Sequence, residues 1–553
     1  MNKTKLASLC ALSFSLLSGF AAQAATYQVI ELPTAELGRS SYSVAINDQG
    51  EYLTQLDFVY HPVIDVSLLD LTLQTYKDNL TDIDAVENGD INHDDMLYLY
   101  NILIQQRGNL SFQQRGELFT AYGSGNSDAE LLTGYDQVNP ETGELTQSTT
   151  NRASEINNKG WIAGYSTAPY ITKNYTNEND EEIVYQLREF PQRAYVEMGG
   201  QLVELKPEDM RIGGRSRAYG LNDSNEIVGS AGTELSDNGV EAIANCEDDE
   251  TRGDSPLDYC LQQIADNNYF TQRAAYWKIN DSGEVIDFQS FGVVEGPDSI
   301  NDNIFSSRAE AINNNGVIVG ASTYSQVNYL GQISYYDLAS IFSDNGVDSI
   351  INFDDYYSSE AVDINDHNLV VGSARKSING YPRNKFFVYS IDSNETIFPE
   401  DYFTGSDSVA RAINNNDIVV GDGEVDTGLN VNRRRHAFIY DYNEQSFTDV
   451  NDLIACDSPY SIVQANDIND NNEILATAVV KKEMLDITGT AILNDDGTAV
   501  TQDIAVAVKL VPIAGGTSEN CTIDEEKNQR KGGSFGWILL PIALFVRLRR
   551  KAK

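Results

Sequence analysis

Asp84, Asn88 and Asp95 stand at positions 1, 5 and 12 of a twelve-residue window, with Gly89 at 6 and Ile91 at 8. That is the ligand spacing of an EF-hand calcium loop. Val86 fills position 3, where an oxygen donor is expected, and Asp95 replaces the bidentate glutamate, so the match is degraded. Calcium is the one cofactor these residues suggest. Asn-Asp pairs recur at Asn47, Asn222, Asn365 and Asn469, but turns select these types to satisfy local backbone groups, and turn chemistry accounts for them. Gly532 to Gly536 spells the Gly-x-Ser-x-Gly nucleophile elbow, yet it opens an apolar tail with no strand–turn–helix around it. Arg252-Gly253-Asp254 reads like an adhesion tripeptide, set beside the acidic run Glu247 to Glu250 of a solvated loop. The four histidines (His61, His93, His367 and His436) include no pair at zinc-ligand spacing. No phosphate-cradling glycine loop is present, and the carboxylates are too many to single out a catalytic pair. No catalytic residue is assigned, and a non-enzymatic role is favoured.

The elements that must carry any site are repeated. Seven times the chain writes an apolar pair, an asparagine, a three-residue turn and an apolar run ending in a small residue, with the asparagine at Asn47, Asn157, Asn222, Asn313, Asn365, Asn414 and Asn469. Repetition at roughly 50 residues marks one supersecondary unit used many times, as in propellers and solenoids. Each copy reads as a β-hairpin. The last turn slot holds Gly50, Gly160, Asn225, Gly316, Asn368, Asp417 and Asn472, all types that tolerate positive φ. Four residues before each asparagine stands a small residue (Ser43, Ala153, Ala218, Ala309, Ala361, Ala410 or Ala465), which predicts close approach of neighbouring strands.

A further strand signal follows most hairpins, for example Arg193-Ala194-Tyr195-Val196, Lys385-Phe386-Phe387-Val388-Tyr389 and His436-Ala437-Phe438-Ile439-Tyr440. Here the chain resembles the extracellular HAF-repeat family, named for a strand like His436-Ala437-Phe438, and the DUF3466 family. The resemblance covers the repeats from Tyr42 to about Ala478, and implies a propeller-like β fold with no established activity. The fold expected is all-β, a propeller of about seven blades with a small helical insertion. Unequal spacings place insertions at about residues 66–116 and 234–270. Met96 to Ile104 predicts a packed helix, and Leu110 to Phe119 a second one. Thr26 to Leu32 and Ala505 to Ile513 read as strands that could pair to close the ring.

Both ends carry sorting features. Lys3 and Lys5, an apolar run from Leu9 to Phe20 and Ala22-Gln23-Ala24 form a secretory signal peptide over residues 1–24. Gly532, Gly533 and Ser534 precede about 12 apolar residues and a terminal Arg/Lys cluster, an order that resembles the GlyGly-CTERM sorting signal (532–553). Twelve helical residues reach only about 18 Å, too short for a durable span. The resemblance implies a rhomboid-type sorting protease and type II secretion as partners, with transient inner-membrane anchoring and then a cell-surface or extracellular location.

Between the ends lie the repeat domain (25–513) and a linker (514–531). Without the end segments the chain keeps 30 Lys+Arg against 83 Asp+Glu, about −53, which argues against nucleic-acid binding and suits a solvated exported protein. Cys246, Cys260, Cys456 and Cys521 remain, and Cys246–Cys260 with Cys456–Cys521 is the simplest of three connectivities. The function expected is a binding or structural module for a glycan, envelope component or partner protein, held on the insertion-bearing face. The rival is a polysaccharide hydrolase or lyase, which would need clustered acids with Arg or Tyr at the central channel.

Overall fold

The computed structural model describes residues 25–518 apart from 126–128, 139–142, 144, 295–304, 328–329 and 429–431. The segments read as a signal peptide (1–24) and a sorting signal (532–553, with Gly532, Gly533 and Ser534), and Cys521, lie outside the described residues. Within them are seven four-stranded antiparallel sheets and one two-stranded sheet. The first strands of the seven sheets surround one axis: Ser41–Ile46, Asn151–Ile156, Ser216–Leu221, Ser307–Ile312, Ser358–Ile364, Ser408–Ile413 and Ser461–Ile468. This is a seven-bladed β-propeller, and blades are numbered here by these inner strands.

Blade 7 joins the two ends of the chain. Its outer strand is the N-terminal Tyr27–Glu31, paired antiparallel with Thr501–Pro512 in the register Tyr27 to Pro512 and Glu31 to Val508. The expected ring closure is present, and it leaves blade 7 without an open outer edge at Thr501–Pro512.

The core is divided into slices. Each junction between neighbouring blades holds its own apolar cluster, such as Ala311, Val319 and Ala339 of blade 4 against Ala361, Val370 and Phe387 of blade 5. At the seam the cluster is Leu32, Ile46, Tyr52, Leu475 and Ala507. The small residues four before the asparagines are buried, from 0% to 4% exposed. The glycine partner of this contact is equally constrained, for a Cβ on Gly320 would stand 2.1 Å from the carbonyl oxygen of Arg308. All seven predicted turn slots have positive φ, between 58° and 81°.

A serine six residues before the asparagine adds a polar stitch between blades. The Oγ atoms of Ser41, Ser216, Ser307, Ser359 and Ser408 accept from backbone N–H groups of the preceding blade, at Ala507, Ala194, Ala274, Ala339 and Phe386.

Each Asn turn joins first and second strands, so the connection from second to third strand emerges at the opposite end. All the large insertions occupy that connection. Blade 1 carries α1 (Gln74–Asn79), α2 (Ile83–Glu87) and α3 (His93–Gln105), packed around Tyr76, Val86 and Leu99. Leu110 to Phe119 is not the second helix expected. Gln114 folds back onto the carbonyls of Asn109 and Phe112, Gly116 seats against Thr149, and Phe119 already begins the strand Phe119–Ser124. Blade 3 carries α4 (Asp237–Glu247), α5 (Asp249–Arg252) and α6 (Leu257–Asp266), with Cys246 of α4 disulfide-bonded to Cys260 of α6. Blade 2 adds the hairpin Ile171–Thr176 with Glu182–Leu187.

These insertions touch in series. His93 meets Asp486 of blade 7 at 2.7 Å, Gln186 N–H donates to Leu110 O at 2.6 Å, and Arg188 N–H donates to Gln262 Oε1 at 2.8 Å. They build a wall over blades 7, 1, 2 and 3, around one side of the channel mouth.

Candidate functional site: the central channel

At the turn end the channel is framed by asparagine. In every repeat the asparagine Oδ1 accepts the N–H groups two and four residues onward, at 2.9–3.1 Å. Its Nδ2 donates to the backbone carbonyl of the next blade's asparagine, also at 2.9–3.1 Å, and Asn469 returns the chain of bonds to Asn47. A second ring runs beside it. The N–H of each following residue is received by Oδ1 of its counterpart in the next blade, through Asp48, Asn158, Asp223, Asn314, Asp366, Asn415 and Asp470. Oδ2 of each of these four aspartates also accepts from an Asn158, Asn314 or Asn415 amide. Turn geometry alone would accept Asp at the repeat position; the ring needs an acceptor and a donor on one side chain, which Asn provides.

One layer deeper, chemistry replaces symmetry. Every inner strand has a β-bulge between the fourth and second residues before its asparagine. A bulge re-aims side chains, and in blades 2, 4, 5, 6 and 7 it turns two consecutive positions toward the axis. They line a cavity of about 230 Å3. Blade 1 gives only Val44, but blade 2 gives Ser154 and Glu155, and blade 7 gives Asn466 and Asp467. Glu310, Asp363, Arg411 and Tyr219 complete the polar lining.

These carboxyls lie deep in the molecule yet face a solvent-reachable cavity. Asp467 accepts from Ile468 N–H at 2.8 Å and, across the seam, from Ile46 N–H at 2.7 Å. Asp363 does the same for Ile364 and Ile413, both at 2.8 Å. Glu155 accepts from Ile156 N–H at 2.9 Å and has no other hydrogen-bond donor among the described residues. Burial pushes Asp363 up to about 6 and Asp467 up to about 7. Burial first, and then the Asp467 charge, raises Glu155 well above the usual carboxylate range. Burial likewise raises Glu310, against the pull of Arg308. Asp363 and Asp467 therefore exchange protons near neutrality, and the carboxyl oxygens of the set can accept hydrogen bonds from hydroxyl or ammonium donors.

Sequence reasoning missed this set because it weighed acids by number. The available signal was a comparison among the repeats themselves: where one blade has Ala45 or Ala412, others carry Glu155, Asp363 or Asp467.

The residues singled out from sequence lie elsewhere. Asp84 is in α2, Asn88 caps its C-terminus, and Asp95 lies in the first turn of α3. The Asp95 carboxylate accepts from Thr81 N–H and Oγ1, Asp82 N–H and Asn92 Nδ2. Among the described residues no group of three or more His, Cys, Asp or Glu is placed to hold a metal ion. Asp254 of the Arg-Gly-Asp run accepts from Tyr175 Oη and Glu178 N–H, and Arg252 donates to the Cys246 and Ser255 carbonyls, so both side chains are occupied internally. His436 of the His-Ala-Phe strand bonds Asp449 at 2.7 Å. Among the described residues no helix is long and apolar enough to cross a membrane.

A family model described as "Protein of unknown function (DUF3466)" matches residues 4–551. The chain belongs to the DUF3466 family. No curated protein matches its sequence. Solved structures similar to this DUF3466 chain include the acylaminoacyl peptidase of Pyrococcus horikoshii, at 10% identity and TM-score 0.38, covering 82% of this chain and 52% of that one. A puromycin-hydrolysing peptidase of Mycobacterium tuberculosis gives 7%, 0.26, 66% and 54%, and the tricorn protease 10%, 0.30, 84% and 52%. The DUF3466 chain spans about half the length of each. Similarity at this level carries no information on activity.

Proposed function

We propose that this DUF3466 protein is an exported, cell-surface binding propeller whose central channel takes the end of a hydroxyl-rich ligand, a glycan chain. The ligand enters from the insertion-bearing face. The observation that carries this is the contrast among seven otherwise equivalent positions. Blades 1, 3, 4 and 6 fold with Ala45, Gly220, Ala311 and Ala412 two residues before the asparagine, so the fold itself does not require Glu155, Asp363 and Asp467 there. Charged groups cost free energy in such a place unless something uses them. Asp363 and Asp467 also cap backbone N–H groups, but Glu155 keeps acceptor capacity directed at the cavity. Export rests on the signal peptide at residues 1–24, and surface delivery on the tail at 532–553, through a rhomboid-type protease and type II secretion.

A polysaccharide hydrolase or lyase is the second reading, and one observation favours it: carboxyls that titrate near neutrality share the cavity with Arg411 and Tyr219. Screening the purified protein on a polysaccharide panel for retention and for new chain ends separates the two. Retention without cleavage supports the binding module, cleavage the enzyme, and neither outcome sinks both.

A further inference from the structure

Five residues before the asparagine, the inner strand again faces the axis, because side chains alternate along a strand and the position six before it turns between blades. In blades 2, 3 and 4 this position holds Arg152, Arg217 and Arg308. Three successive blades thus present guanidinium groups on the insertion side of the acid layer, in a chain with 83 acids and 38 Lys+Arg.

Their partners differ. Arg308 is neutralised by Glu310, Asp337 and Glu360. Arg217 forms no ion pair among the described residues and feels Glu310 only at longer range: its Nε donates to Gln192 Oε1 at 2.7 Å, and its guanidinium lies 5.3 Å from the Tyr165 ring centroid. Arg152 is exposed and makes no hydrogen bond or ion pair among the described residues. Tyr165 lies opposite Arg152 in the strand register and packs edge-on against Tyr219, with ring centroids 6.2 Å apart. Two arginines that form no ion pair among the described residues therefore flank an aromatic pair at the lip of the acid-lined cavity.

We infer that this lip selects a carboxylate-bearing sugar, a uronic acid residue of the glycan. Its carboxylate is taken by Arg152 and Arg217, its ring rests against Tyr165, and its hydroxyls point inward toward Ser154 and Glu155. Arginine suits the role because its planar fork matches a carboxylate with two parallel bonds, and a tyrosine face supports a sugar ring at low entropic cost. Long-range repulsion between an anionic ligand and an acidic surface is screened within about 8 Å at physiological salt, so the local pair decides.

The inference rests on the channel-binding proposal, and one experiment distinguishes the failure of each. Calorimetry would compare an oligogalacturonate trimer with its methyl ester, the same backbone without the charges, on wild-type protein and on Arg152→Gln. Wild type should bind the acid form roughly tenfold more tightly than the ester, and Arg152→Gln should abolish that preference. Equal affinity of wild type for both forms, or a preference that survives Arg152→Gln, would overturn the uronate inference and leave channel binding standing. Absence of binding to either form would overturn both.

Discussion

The side-chain amide of Asn469 donates to the backbone carbonyl of Asn47 across 3.0 Å, and so ties the last inner strand to the first. The other six repeat asparagines make the same bond to their neighbours. The repeated phrase is therefore a closure device between blades as well as a turn.

Asn469→Asp isolates that role. Aspartate keeps an acceptor for the turn N–H groups, but it cannot donate and it sets a negative charge beside Asn47 O and Glu473. A loss of at least about 2 kcal/mol is expected in denaturant unfolding. Wild-type stability in this variant would mean that the turn alone selects asparagine.

The acid layer predicts a pH response with a definite sign. Asp467 is raised in the folded state, so the folded chain holds its proton more tightly than the unfolded chain. Its stabilising contribution is present below the unfolded value near 4 and is lost as pH rises through about 7. Asp467→Asn stays neutral throughout. Its stability relative to wild type should improve by about 1–3 kcal/mol between pH 5 and pH 8, read as paired melting curves. A pH-independent difference would contradict the placement of this group.

The serine stitch is testable at Ser307, whose Oγ accepts from Ala274 N–H at 2.9 Å. Ser307→Ala leaves that buried N–H without its partner and should cost about 1–3 kcal/mol, whereas Ser282→Ala in an exposed turn should cost under about 0.5 kcal/mol.

In the blade 1 insertion, Asp95 works as a cap that receives four hydrogen bonds from Thr81, Asp82 and Asn92. Asp95→Ala should loosen α2 and α3, seen as faster amide exchange there, by the same amount in calcium and in chelator. A loss confined to calcium-containing buffer would instead assign Asp95 to a metal.

The architecture was largely legible because each device is local in sequence. The turn slots from Gly50 to Asn472, the buried Ala309 and its equivalents, and the closing strands near Tyr27 and Leu510 all follow from short-range patterns. The channel was not legible by the same means. Glu155, Glu310, Asp363 and Asp467 are scattered over more than 300 residues among 83 acids, and only seven-fold winding with a bulge in each inner strand brings them to one cavity. The ring bonds were hidden for a related reason: Asn157 and Asn222 are 65 residues apart, and no local pattern pairs them. The failed helix at Leu110 to Phe119 is the opposite case, where an apolar stretch was overridden by the packing of Gly116 on Thr149 and by local bonds from Gln114 to the Asn109 and Phe112 carbonyls.

The central claim is that the bulged inner strands form the binding site, and Glu155→Gln tests it most directly. The substitution keeps the side chain's size and its acceptor toward Ile156 N–H while removing the ionisable group. The measurement is affinity for a retained glycan on wild type and variant, alongside the melting temperature of each. At least a tenfold loss of affinity, with a melting temperature unchanged or raised, is the predicted result. Undiminished binding by Glu155→Gln would place the site outside the channel and contradict the account.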